Sequence, residues 1–319
     1  MADLFADLIG QPQAVALLAA SLQRQRLAPA YLFSGPDGVG RRLAALRFLE
    51  GVLAGIAGSA PLRRRLEEGN HPDLLWVEPT YQHQGQLIPR SEAIAQGVAK
   101  RSLPQLRLEQ VRAISRFLAR RPLEGDHCLV VIEAVEMMAE GAANALLKTL
   151  EEPGNGLLVL LTSAPERLLS TIRSRCQQIV FSRLDPASLQ AVLHRRADLS
   201  PVAEGPEAAG LIALAAGSPG ALLRHREQWQ ALPPGLAERL LERPGQPLEA
   251  LALARELTEA LDLDLQLWLL DWWQLQSWRR DLCQADQQRI ERLRRQLQGA
   301  VQPRLAWEVA LLELGGSLV

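Results

Sequence analysis

The sequence predicts an α/β fold: a parallel sheet with helices on both faces, then a small helical lid and an all-α C-terminal domain. Short continuous apolar runs alternate with helical patterns up to about residue 183, which is typical of a sheet buried on both faces. A glycine-rich turn follows the first run, and only helical patterns follow residue 223. At 319 residues, the chain is long enough for two or three domains.

The composition excludes several classes of protein. Hydrophobic residues make up 48% and charged residues 22% of the chain, as in a soluble globular protein. No apolar run is long enough for a membrane span, and the first residues lack a signal-peptide pattern. Cys128, Cys176 and Cys283 form no C-x-x-C pair, so a reducing cytoplasm is the expected location. A net charge of -1 argues against a dedicated DNA-gripping protein, although a local basic face stays open.

The first apolar run and the turn behind it follow the layout of a phosphate-binding P-loop. Residues 31–33 predict a strand, and a helical pattern begins after Gly40. The P-loop pattern is G-x-x-x-x-G-K-[ST], and Gly35 and Gly40 stand at its two glycines, with Gly38 between them. The sequence therefore predicts that the loop itself is preserved.

The two residues that complete the P-loop pattern differ in this chain. Arg41 replaces the lysine that reaches the phosphates, and Arg42 replaces the Ser or Thr that binds Mg²⁺. Arginine is wider and planar, and Arg42 puts a cation where the metal needs room. We therefore expect no hydrolysis of Mg-ATP at this loop. Passive binding of phosphate or a nucleotide stays open, because the backbone N–H groups of the loop do not depend on these side chains.

The other elements of the N-terminal part follow from periodicity. Helical spacing predicts helices over residues 11–24, 108–118, 139–153 and 166–173, and a helix or loop over 62–68. Apolar runs predict strands over residues 74–78, 128–132, 157–161 and 178–181. Residues 80–105 are polar and predict a long loop, in which Lys100 and Arg101 are either solvated or in contact with an anion. The glycine loop, Glu133 and Thr162-Ser163 all follow strands, where parallel sheets bind ligands.

Two stretches resemble a known family. Residues 133–176 contain NALLKTLEEP and TIRSRC, and they resemble the clamp-loader branch of the AAA+ proteins. Residues 8–41 resemble the start of the same branch, within which the chain is most similar to the delta-prime subunits of bacterial DNA polymerase III. The resemblance implies an AAA+ core over residues 1–183, a helical lid over 184–222 and a helical collar, where subunits associate, over 223–319.

The resemblance also implies that several parts of the hydrolysis site are altered. Glu133 stands at the first acidic position of the Walker B strand, and Ala134 stands where a catalytic glutamate is expected. Glu133 is open to two interpretations, a metal role or a polar cap at a strand end. Thr162-Ser163 matches the sensor-1 position, and Ala221 or Leu222 replaces the sensor-2 arginine. Since these changes agree with those in the P-loop, an inactive site is expected.

By contrast, the motif Ser174-Arg175-Cys176 is unaltered. In clamp loaders, this arginine projects from one subunit towards the ATP of its neighbour, as an arginine finger that stabilises charge on the transferring phosphoryl group. The resemblance therefore assigns Arg175 a catalytic role in trans. The alternative is a surface arginine that pairs with the C-terminus of a helix.

No cofactor or metal is expected. Many delta-prime subunits carry a four-cysteine zinc module ahead of the segment that corresponds to residues 69–74, but residues 51–70 contain no cysteine here. His71 alone is no metal site.

The C-terminal third predicts helices only. Five of the seven tryptophans lie between Trp268 and Trp307, and they are open to two interpretations, core packing or a subunit interface. The basic residues of this part alternate with acidic ones, which predicts a solvated helix face, with a DNA contact as the alternative; they are Arg279, Arg280, Arg289, Arg292, Arg294 and Arg295.

Together, these expectations describe a structural, non-hydrolysing member of a hetero-pentameric clamp loader. Its partners are gamma/tau and delta subunits, the sliding clamp and, through the complex, primed DNA, while nucleotidyl transfer belongs to other subunits of the polymerase III holoenzyme. One rival is an ATP-hydrolysing, gamma/tau-like subunit whose P-loop tolerates arginine. The other is a free-standing DNA-binding module, which predicts tight, salt-sensitive binding of the lone chain to primed DNA.

Overall fold

Among the described residues, five parallel strands form one sheet, in the order β2-β5-β6-β1-β7. The structure is a computed structural model that describes residues 4–83, 85–93, 104–195, 207–279, 284–299 and 301–315. The strands of the chain are β1 (Ala30–Ser34), β2 (Leu74–Val77), β3 (Thr80–His83), β4 (Gln86–Pro89), β5 (Cys128–Ile132), β6 (Gly156–Thr162) and β7 (Gln177–Val180). The parallel sheet predicted from the alternating apolar runs is confirmed.

The register of the sheet aligns the ends of its central strands. Strands β1, β5 and β6 are buried along their whole length, as the continuous apolar runs predict. Ser34, the last residue of β1, pairs with Thr162, the last residue of β6. Ile132, the last residue of β5, pairs with Leu160 on the other side of β6. The segments that follow these three strands therefore leave the sheet at the same edge.

The chain divides into two compact units, one up to Val192 and the other from Leu193. Since this division separates two units and not three, the boundaries expected at residues 183 and 222 remain predictions. None of the helices in the described ranges is long and apolar enough to cross a membrane. The helices that lie wholly or mainly in the first unit are α1 (Pro12–Gln23), α2 (Arg41–Ala54), α3 (Ala60–Glu67), α4 (Leu108–Leu118), α5 (Glu140–Glu151), α6 (Ser170–Arg173) and α7 (Pro186–Arg195).

Two sequence predictions in the first unit are wrong. The loop predicted over residues 80–105 contains the hairpin β3–β4, whose Tyr81 and Ile88 pair across the strands and are buried with Ala93. Lys100 and Arg101 lie outside the described residues. The helix predicted over residues 166–173 is interrupted, because Leu168 is extended between a short 3₁₀ helix and α6.

The second unit is helical. Its helices are α8 (Ala208–Ala215), α9 (Pro219–Gln230), α10 (Leu236–Glu242), α11 (Pro247–Ala260), α12 (Leu263–Arg279), α13 (Gln284–Gln298) and α14 (Pro303–Leu314). Trp273 of α12 and Trp307 of α14 are buried, with ring centres 6.3 Å apart, and the Trp307 indole N–H donates to Gln266 Oε1 at 3.0 Å. Trp268 and Trp272 are also buried, so core packing is confirmed for these four rings, whereas Trp278 is exposed.

Three basic residues of the predicted charged face are paired with acidic ones. Arg292 Nη1 lies 3.1 Å from Glu313 Oε1, and Arg294 Nη1 pairs with Asp271 Oδ1. Arg289 pairs with Asp286 on the same helix. These pairs agree with the expected solvated charged face. Arg280 lies outside the described residues.

An ion-pair network holds the segment between α2 and α3. Glu50 of α2 is fully buried, and its carboxylate accepts hydrogen bonds from Ser59 N and Arg63 Nε, both at 2.8 Å. Beside it, Arg47 pairs with Asp7 at 2.6 Å and with Glu67 at 2.9 Å. A buried charge is tolerated only when it is paired and hydrogen-bonded, and Glu50 meets this condition. The network therefore connects α2 to α3 through ion pairs.

Asp73 fixes the entry of the chain into β2. It is buried, and its Oδ1 accepts a hydrogen bond from Leu123 N at 2.6 Å. Its Oδ2 accepts from Glu124 N and Gly125 N at 2.8 and 3.0 Å. Burial alone would raise the pKa of Asp73, but the three backbone donors lower it below its ordinary value of 3.8. The ionised carboxylate therefore ties the start of β2 to the turn that precedes β5.

We predict that Asp73→Asn lowers the free energy of unfolding by about 2–3 kcal/mol at pH 7, because asparagine has one acceptor oxygen for three N–H groups. The pKa of Asp73 is lower in the folded than in the unfolded chain. Its contribution is therefore present above pH 3.8 and is lost as the pH falls through the folded-state pKa. The difference in the free energy of unfolding between wild type and variant should therefore be smaller at about pH 3 than at about pH 7, as measured by urea unfolding curves.

The control is Asp126→Asn, in the same turn, because Asp126 is exposed. This variant should match the wild type to within about 0.5 kcal/mol. An equal loss in both variants would contradict the role given to Asp73.

Candidate functional site

The glycine loop keeps the backbone of a P-loop. It follows β1, and Gly35 N donates to Thr162 O at 3.1 Å, while α2 begins at Arg41 behind Gly40. Gly35 and Gly40 have φ values of +152° and +107°, which side chains rarely adopt. A Cβ atom on Gly35 would lie 2.2 Å from Phe181 O. Gly38 also has a positive φ, so the structure brings all three predicted glycines into one tight turn.

Gln11 fastens this loop to the neighbouring strand, and the sequence patterns did not single it out. Its side chain is buried, and Nε2 donates to Val39 O at 3.3 Å and to Ser182 O at 2.7 Å. Its Oε1 accepts from Ser182 N at 3.1 Å. The only local signal is a glutamine directly before Pro12, where a helix cap is expected.

Arg42 contacts residues of two neighbouring strands beside the loop, and these residues also contact each other. Its Nη1 pairs with Glu133 Oε1, directly after β5, and its guanidinium carbon lies 4.5 Å from the ring centre of Trp76 on β2. The same Glu133 oxygen accepts a hydrogen bond from Trp76 Nε1 at 2.7 Å. A guanidinium stacked on an indole and paired with a carboxylate is a favourable arrangement. Glu133, for which the sequence left a metal role and a polar cap at a strand end both open, here pairs with an arginine.

Arg41 is paired within the loop itself. Its Nη2 forms an ion pair with Asp37 Oδ1, four residues earlier, and only 10% of its side chain is exposed. Asp37 is therefore a further site residue that the loop pattern did not single out. Because Arg41 and Arg42 each have an acidic partner, the two cations in the places of lysine and Ser or Thr are compensated by this chain. A phosphate group would have to displace Asp37 or Glu133 before it could pair with Arg41 or Arg42.

The residues expected at the sensor positions make structural hydrogen bonds. Ser163 donates to Glu136 Oε1 through its N–H at 3.1 Å and its hydroxyl at 2.6 Å. Burial would raise the pKa of Glu136, but the bonds from Ser163 lower it, so the carboxylate is ionised at neutral pH. Thr162 is buried, and its Oγ1 accepts from Ala164 N at 3.2 Å.

The sensor-2 segment forms the start of a helix in the second unit. Ala221 N donates to Ser218 Oγ at 3.1 Å, which caps α9, and Leu222 is buried. Neither side chain carries a charge for a phosphate.

Arg175 lies at the other edge of the sheet from the glycine loop. It precedes β7, and Gln177 is level with Tyr31 in β1, four residues before Gly35. Four strand residues span about 13 Å. The Arg175 side chain is partly exposed, its Nη1 donates to Thr171 O at 3.1 Å, and its Nη2 pairs with Glu151 Oε1 at 2.7 Å. Arg175 therefore belongs to a different surface from the loop of its own chain.

The two described cysteines are poor nucleophiles, because burial raises the pKa of the Cys128 and Cys176 thiols. Burial raises the pKa of the Cys176 thiol to about 11, so it is protonated at neutral pH and is a poor nucleophile. Within the described ranges, no cluster of three or more His, Cys, Asp or Glu side chains could hold a metal ion.

Comparisons with known proteins agree with the fold and the motifs. A family described as DNA polymerase III, delta subunit, matches residues 10–185, and one described as cyanobacterial DNA polymerase III delta prime, C-terminal domain, matches residues 187–314. The delta-prime subunit of Bacillus subtilis is 34% identical over 197 residues, which are 60% of this chain and 53% of that protein. That of Pseudomonas aeruginosa is 35% identical over 162 residues, which are 49% and 43% of the two chains.

The solved structures that are similar to this chain include one that covers nearly all of it. It is a DNA polymerase III gamma subunit-related protein from Thermotoga maritima, with a TM-score of 0.55 and 18% identity, covering 95% of this chain and 99% of that one. At this identity, the likeness supports the fold alone. This chain spans about half the length of the curated relatives, while the first family match covers more than half of this chain. The chain therefore belongs to the DNA polymerase III delta-prime subunit family, within the clamp-loader branch of the AAA+ proteins.

Proposed function

We propose that this chain is a non-hydrolysing subunit of the bacterial clamp loader. In this proposal, it takes one place in a hetero-pentamer with gamma/tau and delta subunits, and the assembly places the sliding clamp on primed DNA in the cytoplasm. Its own P-loop takes no part in hydrolysis, and Arg175 acts on the nucleotide of a neighbouring subunit. The proposal rests on membership of the delta-prime family and on the geometry of the two edges of the sheet.

The observation that carries the proposal is the contact of Arg42 with Glu133 and Trp76. In a working P-loop, a hydroxyl at the position of Arg42 binds Mg²⁺. A guanidinium at that position repels the metal and takes up the carboxylate that would hold it. Arg41, which replaces the phosphate-binding lysine, is engaged by Asp37. Binding of Mg-ATP would therefore break two ion pairs before it formed its own contacts.

The trans role of Arg175 is supported by its place before β7. An arginine finger stabilises charge that develops on the transferring phosphoryl group. Arg175 sits at the amino ends of the parallel strands, whereas the glycine loop follows their carboxyl ends. Since the two are separated by the length of a strand, Arg175 does not reach the loop of its own chain. A nucleotide on another subunit is the remaining partner for such a role.

We predict that the wild-type chain binds Mg-ATP more weakly than about 1 mM, and that Arg41→Lys/Arg42→Thr binds it at least about tenfold more tightly. The double variant removes the ion pair between Arg42 and Glu133, and it restores the lysine and the hydroxyl of the pattern at positions 41 and 42. Isothermal titration calorimetry with and without Mg²⁺ measures the change, and the gain should require the metal.

Arg120→Lys/Arg121→Thr is the matched control and should leave ATP binding unchanged, because both residues are exposed and lie before β5, at the opposite edge of the sheet from the loop. Hydrolysis of ATP by the wild-type chain at the rate of an active loader subunit would contradict the proposal and favour the gamma/tau-like rival.

We predict that Arg175→Ala lowers the ATPase rate of the reconstituted loader, with clamp and primed DNA present, by at least about tenfold, because it removes a positive charge from the transition state. The KM for ATP should change little, since the finger acts after binding. Steady-state kinetics over a range of ATP concentrations separates the two parameters.

Arg167→Ala, at an exposed arginine one helical segment earlier, should leave both parameters unchanged. Equal ATPase and clamp-loading rates in the wild type and Arg175→Ala would refute the catalytic role of Arg175.

A further inference from the structure

The Arg175 side chain is held from two sides. Nη1 donates to Thr171 O within its own segment, at 3.1 Å, and this bond anchors the side chain locally. Nη2 pairs with Glu151 Oε1 at 2.7 Å, and Glu151 is the last residue of α5. The second contact therefore ties the arginine to a separate helix, across 24 residues of chain.

A held arginine differs in one physical respect from a free one. An unrestrained arginine side chain on a surface samples many rotamers, and ordering it costs up to about 2 kcal/mol. Reactions that depend on a positioned charge lose rate when that group is displaced by about 1 Å. A carboxylate that already orders the guanidinium lowers the entropic cost of bringing it to a phosphoryl group.

The hydrogen-bonding capacity of the guanidinium allows both contacts at once. Arginine has five N–H donors, and two of them are used here, one by Thr171 and one by Glu151. The other donors remain for phosphate oxygens. Glu151 and Arg175 are 52% and 36% exposed, so the pair is weak in the free chain and strengthens when a neighbouring subunit excludes water.

We propose that Glu151 is a positioning residue, which orders the Arg175 guanidinium so that its remaining N–H groups engage the nucleotide of the neighbouring subunit. This inference rests on the proposed trans role of Arg175. It gives the glutamate of the LEEP sequence at the end of α5 a part in hydrolysis on another chain, although it touches no substrate itself.

The test uses the complete loader, reconstituted with variants of this chain and assayed for ATPase activity with clamp and primed DNA. Glu151→Ala should lower kcat about fivefold, with little change in KM for ATP. A loss of this size lies between the interaction energy of an exposed ion pair and that of residues joined in one network. Glu151→Gln should stay within about twofold of wild type, because its amide oxygen still accepts the bond. Glu152→Ala is the matched control, since Glu152 is the adjacent exposed glutamate, and it should equal the wild type.

A double-mutant cycle separates this inference from the proposed function. Glu151→Ala/Arg175→Ala should be as slow as Arg175→Ala alone, because a positioning residue has no effect once its arginine is gone. If Arg175→Ala leaves the rate unchanged, the proposed function fails. If Arg175→Ala is slow, the proposed function stands, and the Glu151 variants then decide the role of Glu151. That role is overturned if Glu151→Ala is as fast as the wild type or faster. It is also overturned if the double variant is slower than Arg175→Ala alone. Equal melting temperatures of all variants exclude misfolding as the cause.

Discussion

The common direction of the five strands is the constraint on which the site depends. In a parallel sheet, all carboxyl ends lie at one edge and all amino ends at the other. The glycine loop, Glu133 and Ser163 therefore gather at one edge, while the segment that carries Arg175 lies at the other. The loop and Arg175 therefore lie on separate surfaces of the chain, and the residues of one can change without disturbing the other.

At the glycine loop, acidic side chains of the chain itself pair with the cations that would otherwise face the phosphates of a nucleotide. An empty P-loop concentrates backbone N–H groups and a lysine charge with nothing to balance them. Here Asp37 and Glu133 balance Arg41 and Arg42, and Gln11 fixes the backbone of the loop to the end of β7. The charges of the loop are therefore balanced within the chain itself, as the proposed non-hydrolysing role requires.

Much of this could be predicted from sequence, because the glycines, the strands and the SRC motif are local patterns. The partners of those residues could not, since they come from distant segments. Trp76 meets Arg42 only because β2 pairs with β5, and no spacing along the chain signals it. The sequence did not predict the hairpin of β3 and β4, because most of its residues are polar and the apolar Tyr81 and Ile88 are too few to form an alternating pattern. The bond between Ser163 and Glu136 could not be predicted either, because it depends on how the segments after β5 and β6 meet.

The buried Glu50 network has a consequence for the conditions under which the subunit stays folded. A four-cysteine zinc module unfolds when the metal is removed and is damaged when its thiolates are oxidised. In this chain, the link between α2 and α3 is made by carboxylates and guanidinium groups, which neither chelators nor peroxide attack. It follows that neither a chelator nor an oxidant should loosen this link between the two helices.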